Sequence, residues 1–275
     1  IYELYRGSIV ESRHYGAAAV ADAHGRVVAE WGAPHTVTYL RSSAKPFQAV
    51  PLIEGGGAER FGLAPDEIAV MCASHSGTDA HVAAVRSIQA KSSVQEEHLL
   101  CGVHPISHQP TVEAMHQRGE ALSPNRNNCS GKHSGMLALA NLLGAPLEDY
   151  INPAHPVQKI ILKTYAEFCG METEQVVIGI DGCSAPNFAV PLVNAATAFA
   201  RLCAPDTPGI GFAASRAQAC RTITGAMTAH PEMVGGPASF DTFLLRVMSG
   251  RLVAKVGAEG FQGIGCQGAD FQPLH

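Results

Sequence analysis

The chain has 275 residues, a net charge of −5, 46% hydrophobic residues and only 16% charged residues. That is enough apolar material for one large core. It also lacks the basic surplus of a phosphate-driven nucleic-acid binder, and no stretch approaches the roughly 20 apolar residues of a membrane helix. The opening residues, IYELYRGSIVESRHYG, carry charge at once and show no signal-peptide core. With no initiator Met at its start, the chain is expected to be processed or incomplete.

The elements follow in order. Residues 8–21 (SIVESRHYGAAAVA) and 26–31 (RVVAEW) alternate like two strands, with DAHG between them as a hairpin turn. Val37 to Leu40 continues extended. SSAKPFQAVPLIEGG (42–56) reads as a helix with Ser42 or Ser43 as its N-cap, Pro46 being tolerable in the first turn. Residues 67–73 (EIAVMCA) read as an apolar strand, and 77–91 as a capped amphipathic helix with Val82, Val85 and Ile88 spaced by three. A short helix at 111–120 precedes the polar loop NRNNCSGK. An apolar helix then runs to Gly144, and another covers 156–170. VVIGID (176–181) reads as a buried strand, 190–203 as a helix rich in small residues, 239–250 as a helix and 251–257 as a strand. This is one continuous unit over 1–275, without linker or repeat.

Eight dispersed cysteines with no CxxC pair argue for reduced thiols in a cytoplasmic protein, not a disulfide framework or zinc ribbon.

Five segments carry chemistry. Ser42-Ser43-Ala44-Lys45 places a Ser and a Lys three apart at a helix start, on one face. A desolvated Lys can take the proton of a weakly nucleophilic hydroxyl, and a helix N-terminus favours the oxyanion that follows. The same spacing also arises in plain helix caps, so alone it is weak. Cys72 to Thr78 (CASHSGT) is a second polar cluster, placed where a strand would give way to a helix. The segment from Asn127 to Gly135 (NNCSGKHSG) is more polar than a turn requires, and its Cys129, Lys132 and His133 could hold a soft metal. In Gly179 to Asn187 (GIDGCSAPN), Asp181 could orient a base or hold an ammonium group, and Cys183 could complete a metal site with Cys129. Lys255-Val256-Gly257 resembles the K-T-G element of penicillin-recognising enzymes, which faces the S-x-x-K helix across a cleft.

Taken together and in order, LRSSAKPFQAVPLIEGG, CASHSGTDAH, NNCSGKHSGMLALA, GIDGCSAPNFAVPL and AKVGAEGFQG resemble the rhizobial-type (thermolabile, class 3) L-asparaginase family, from about residue 5 to about residue 265. The resemblance implies an α/β (α+β) fold like the serine β-lactamases and glutaminases: a mixed, mainly antiparallel sheet flanked by helices, with a helical portion beside it. It implies hydrolysis of L-asparagine to L-aspartate and ammonia by a homodimer. It implies two Ser–Lys pairs, Ser42 with Lys45 and Ser74 with Lys255. A zinc ion would be held by Cys129, Lys132 and Cys183, with Arg41, His133 and Asp181 lining the site. From the chemistry, Ser42 is expected to attack and Lys45 to take its proton. Ser74 and Lys255 would polarise or relay, Asp181 would hold the substrate ammonium and Arg41 its carboxylate. Spacing alone does not decide which serine is the nucleophile. The family continues beyond the point that matches Gly265, so the chain is expected to be truncated after about 265. A glutaminase or other serine amidase is the alternative enzyme. A zinc- or amino-acid-binding protein without turnover is the non-enzyme alternative.

Overall fold

The structure, a computed structural model, describes residues 2–268. Residues 269–275, where the expectation of a shortened C-terminus falls in part, lie outside the described residues.

The N-terminal part is two antiparallel hairpins, β1 (Tyr2–Arg6) with β2 (Ile9–His14), and β3 (Ala18–Ala21) with β4 (Val27–Trp31). The strand expected across 8–21 is therefore two strands, which pair with different partners. The DAHG turn forms as expected. The Asp22 carboxylate accepts the His24 and Arg26 N–H groups at 2.9 and 3.0 Å, and Gly25 takes φ +84°. An Asp that caps its own turn and a Gly that accepts positive φ are what close this hairpin.

After β5 (Val37–Tyr39) comes a tight helical turn (Arg41–Ala44) and then α1 (Lys45–Glu54), α2 (Gly57–Phe61) and α3 (Pro65–Met71). The strand expected at 67–73 is thus a helix with its C-terminal end at Met71. Pro65 in the first turn and the acids Asp66 and Glu67 behind it are helix-start signals, and they outweigh a short apolar run. Helix α4 (Asp79–Lys91) is capped as expected, by Thr78, whose hydroxyl accepts the His81 N–H. Helices α5 (Gln109–Arg118), α6 (Ser130–Leu143) and α7 (Pro156–Cys169) follow. α6 starts three residues earlier than its apolar pattern, taking Ser130, Gly131 and Lys132 into its first turn.

Strands β6 (Val177–Ile180) and β7 (Pro186–Pro191) join β5 in the order β5-β7-β6, all antiparallel. The 176–181 strand was expected to be buried. It is instead the edge, with Val177, Ile178 and Ile180 exposed, while β7 occupies the buried centre. The described residues end in α8 (Leu192–Cys203), α9 (Ala214–Ala229), α10 (Pro231–Gly235), α11 (Phe240–Met248) and the hairpin β8 (Leu252–Val256) with β9 (Gln262–Cys266). The fold is mixed α+β with mainly helical mass. Its five antiparallel pairings are divided among four small sheets among the described residues.

α1 is buried along nearly its whole length and organises the core. Phe47 meets Tyr165, Phe168 and Phe199 edge-on at centroid distances of 5.4, 5.3 and 5.1 Å, the arrangement ring quadrupoles favour. α6 packs on the end of α3 because it is narrow there. A Cβ on Gly131 would lie 2.1 Å from the Val70 carbonyl oxygen, and one on Gly135 would lie 2.8 Å from Met71 Sδ. That contact delivers the first turn of α6 to the loop that follows α3.

Candidate active site

Three lysines enter the interior at one place. Lys45 begins α1, Lys132 lies in the first turn of α6 and Lys255 lies on β8, with exposures of 1%, 4% and 0%. A buried ammonium is costly unless it is paired, and two of these sit at helix N-termini, where the macrodipole opposes a cation. Burial of this kind against local preference marks a functional site.

Lys45 Nζ has three acceptors: the Ala73 carbonyl at 2.6 Å, Ser74 Oγ at 3.1 Å and the Asn128 carbonyl at 3.4 Å. Both Ala73 and Ser74 belong to the loop between α3 and α4. This loop follows a helix and not the expected strand, yet it presents Ser74 as the motif implies. Ser42 is half-buried on the turn just before α1 and makes no side-chain hydrogen bond among the described residues. Neither Ser42 nor Ser43 caps α1. Ser43 Oγ instead donates to the Lys255 carbonyl, tying α1 to β8. The lysine of the first motif is thus in contact with the serine of the second.

Lys255 Nζ meets neither serine. It donates to the Val256 carbonyl at 2.9 Å and lies 3.4 Å from Asp241 Oδ2 on α11. Burial pulls its ammonium down to about 8, Asp241 works against that and Lys45 adds to it. Asp241 has no counterpart in the motifs. In the sequence it is one acid in the first turn of a helix, and nothing in its pattern signals that it is buried.

The third cluster joins α6 to the turn after β6. Lys132 Nζ donates to Cys183 Sγ at 2.8 Å, and the Cys183 thiol hydrogen-bonds Cys129. That bond holds Cys129 well below the ordinary thiol range against the opposing effect of burial, with Lys45 and Lys132 reinforcing it. Burial lowers Lys132, but its sulfur neighbours outweigh burial and hold it above its ordinary value. Lys45 also reaches Cys129, so the serine–lysine contact and the cysteine cluster are continuous.

Arg41 and Asp181 form an ion pair at 2.9 Å, and Glu259 approaches Arg41 at 3.7 Å. Burial raises the Asp181 carboxyl, but Lys132, the Gly182 N–H and Arg41 together hold it below its usual value. Arg41 and Ser184 carry φ of +52° and +68°, backbone that non-glycine residues adopt at a cost and that gathers at functional sites. His133 is fully buried. The Tyr150 hydroxyl accepts the Leu100 N–H at 3.0 Å and lies 2.6 Å from His133 Nδ1, which leaves His133 Nε2 without a partner among the described residues. Burial keeps this imidazole neutral, well below its usual value, and the two nearby lysines add to the effect.

No group of three His, Cys, Asp or Glu able to hold a metal occurs among the described residues. Cys129, Cys183 and the Lys132 amine are nevertheless adjacent. Two sulfurs and one nitrogen are a donor set that suits a soft or borderline divalent ion, provided the ion displaces the proton that the sulfurs now stabilise on Lys132.

Of the predicted residues, the structure brings Lys45 to Ser74, Arg41 to Asp181, and Lys132 to Cys183 and Cys129. It joins neither Ser42 to Lys45 nor Ser74 to Lys255 by a side-chain hydrogen bond among the described residues. All eight cysteines are free, and no helix of the described residues is long and apolar enough to cross a membrane. No curated protein matches the chain. The family model for L-asparaginase II matches residues 2–271, spanning all five motifs. The chain belongs to the L-asparaginase II family, in line with its resemblance to the rhizobial-type asparaginases.

Proposed function

We propose that the chain hydrolyses the side-chain amide of L-asparagine to L-aspartate and ammonia, with a serine as nucleophile and a buried lysine as its base. The observation that carries this is the caged Lys45 Nζ, 3.1 Å from Ser74 Oγ. As an ammonium, Lys45 donates to all three of its acceptors. Once it gives up one proton, the contact with Ser74 reverses, and the hydroxyl donates to the free nitrogen. Attack on the amide carbon then moves the Oγ proton to Lys45, and the same proton passes to the departing ammonia. Water repeats the sequence on the acyl ester. Contact favours Ser74 as the attacking hydroxyl. Ser42, on the turn beside Lys45, is the alternative nucleophile. Lys255, with its ammonium pulled down to about 8, keeps its proton at neutral pH and would polarise the substrate amide.

Arg41 and Asp181, side by side with opposite charge, complement the carboxylate and ammonium of an α-amino acid. Cys129, Lys132 and Cys183 would hold a zinc ion. A bound zinc would supply fixed positive charge and Lewis acidity at this wall of the site. A homodimer is supported by the apolar side chains that the N-terminal hairpins expose, among them Tyr2, Leu4, Tyr5 and Trp31. A reducing, cytoplasmic setting is supported by the unpaired cysteines.

The test is ammonia release from L-asparagine by the parent chain, by Ser42→Ala and by Ser74→Ala, with L-glutamine in parallel. Ser74→Ala is expected to lose about 10³-fold or more in kcat, and Ser42→Ala much less. The reverse pattern makes Ser42 the nucleophile. Faster release from glutamine makes the chain a glutaminase. Binding of asparagine without release by the folded, zinc-supplied parent overturns the enzymatic reading.

A further inference from the structure

Among the described residues, Asp241 is the one buried carboxylate in contact with a site lysine that no motif singles out. It stands in the first turn of α11 and is 0% exposed. Its Oδ2 accepts the Val256 N–H at 2.9 Å and lies 3.4 Å from Lys255 Nζ, while Oδ1 accepts from Gln262 Nε2 at 3.2 Å. One carboxylate therefore engages a backbone N–H, an ammonium and an amide, all on the β8–β9 hairpin. The helix N-terminus favours the negative charge.

A staple between α11 and the hairpin needs only the contacts to Val256 and Gln262, and a neutral amide could replace much of that. The contact with Lys255 needs the charge. The titratable groups that face Lys255 are Asp241 from α11, Lys45 from α1, Cys129 ahead of α6 and Cys72 behind α3. Lys45 repels it, and burial pushes the Cys72 thiol up to about 12, so that it stays neutral. We propose that Asp241 is a positioning residue for Lys255, fixing the ammonium against the β8 wall of the site and keeping it charged for the amide hydrolysis. The proposal rests on the amidase reading for its consequence and on the buried geometry for its cause. Burial draws Lys255 toward neutrality and Asp241 opposes that. Without the carboxylate, the lysine loses its proton at lower pH and is free to turn away.

The test uses Asp241→Asn, which keeps the size and removes the charge, in the full chain. The first readout is independent of turnover: a ¹⁵N NMR titration of the Lys255 side chain, assigned with Lys255→Arg. Its midpoint is expected to fall by about one pH unit or more. The second is steady-state hydrolysis of asparagine, where kcat is expected to fall about tenfold or more. KM should stay within about twofold, and Asp241→Glu should recover part of the loss. An unmoved midpoint with parent-like kcat, whatever the change in Tm, reduces Asp241 to a staple and overturns the proposal. A parent that releases no ammonia sinks the amidase reading, and the titration still decides what Asp241 does to Lys255. If Asp241→Asn fails to fold, Asp241→Glu replaces it. A displaced midpoint, or a lower kcat at unchanged KM, then supports the proposal, and parent values for both overturn it.

Discussion

Helix α1 joins two regions that cohere on opposite terms. Two residues into the helix, Phe47 enters a cluster of rings, where stabilisation is a sum over area and each contact is individually weak. At the first residue, Lys45 enters a cage of two carbonyls and a hydroxyl, where each proton needs its own acceptor and removing one partner strands the others. The ring cluster stabilises the fold. The lysine cage draws on that stability to keep charge dry.

The contrast can be broken by experiment. Phe47→Ala should cost about 3–5 kcal/mol in urea unfolding. A loss under about 1 kcal/mol would show that the rings do not anchor α1. The charged side is read through pH. Lys255 has an ammonium near 8 in the folded chain against 10.5 as its ordinary value, so between those pH values the unfolded chain binds more protons. Stability of the parent relative to Lys255→Met should therefore rise with pH across that window, by up to about 3 kcal/mol. A flat difference would mean that Lys255 is hydrated. The smallest effect belongs to charge in water. Arg118 pairs with Asp79 and Glu120 but is 44% exposed, and Arg118→Ala should change stability by under about 1 kcal/mol in the same assay.

Much of the scaffold was legible in the sequence. A cap on the 77–91 helix, the Gly144 stop and the Asp22–Gly25 turn are local chemistry and appear as expected. What failed was decided elsewhere in the chain. Residues 67–73 form an apolar run too short to separate strand from helix by period, and the decisive Pro65 lies just outside it. β7, flanked by Pro186 and Pro191, hides its central place behind prolines more typical of an edge. α9, with no clear periodicity, was not foreseen at all. In the site, the motifs pointed to the residue types, but partners depend on tertiary docking. Lys45 lies three residues from Ser42 and 29 from Ser74, and contacts the distant one. Asp241 had no signal, because burial of a helix-start acid is a property of the packed molecule.

The bond from Ser43 Oγ to the Lys255 carbonyl spans 212 residues. Contacts of that separation carry a large loop-closure entropy and form only once most of the chain is in place. The lysine site thus reports on completion of folding. Until the C-terminal hairpin docks, Lys255 remains in water with an ordinary affinity for protons, and any excursion that peels the hairpin away returns it there. Amide exchange along β8, followed beside activity at rising temperature, should show both fading together, before the ring cluster around Phe47 opens.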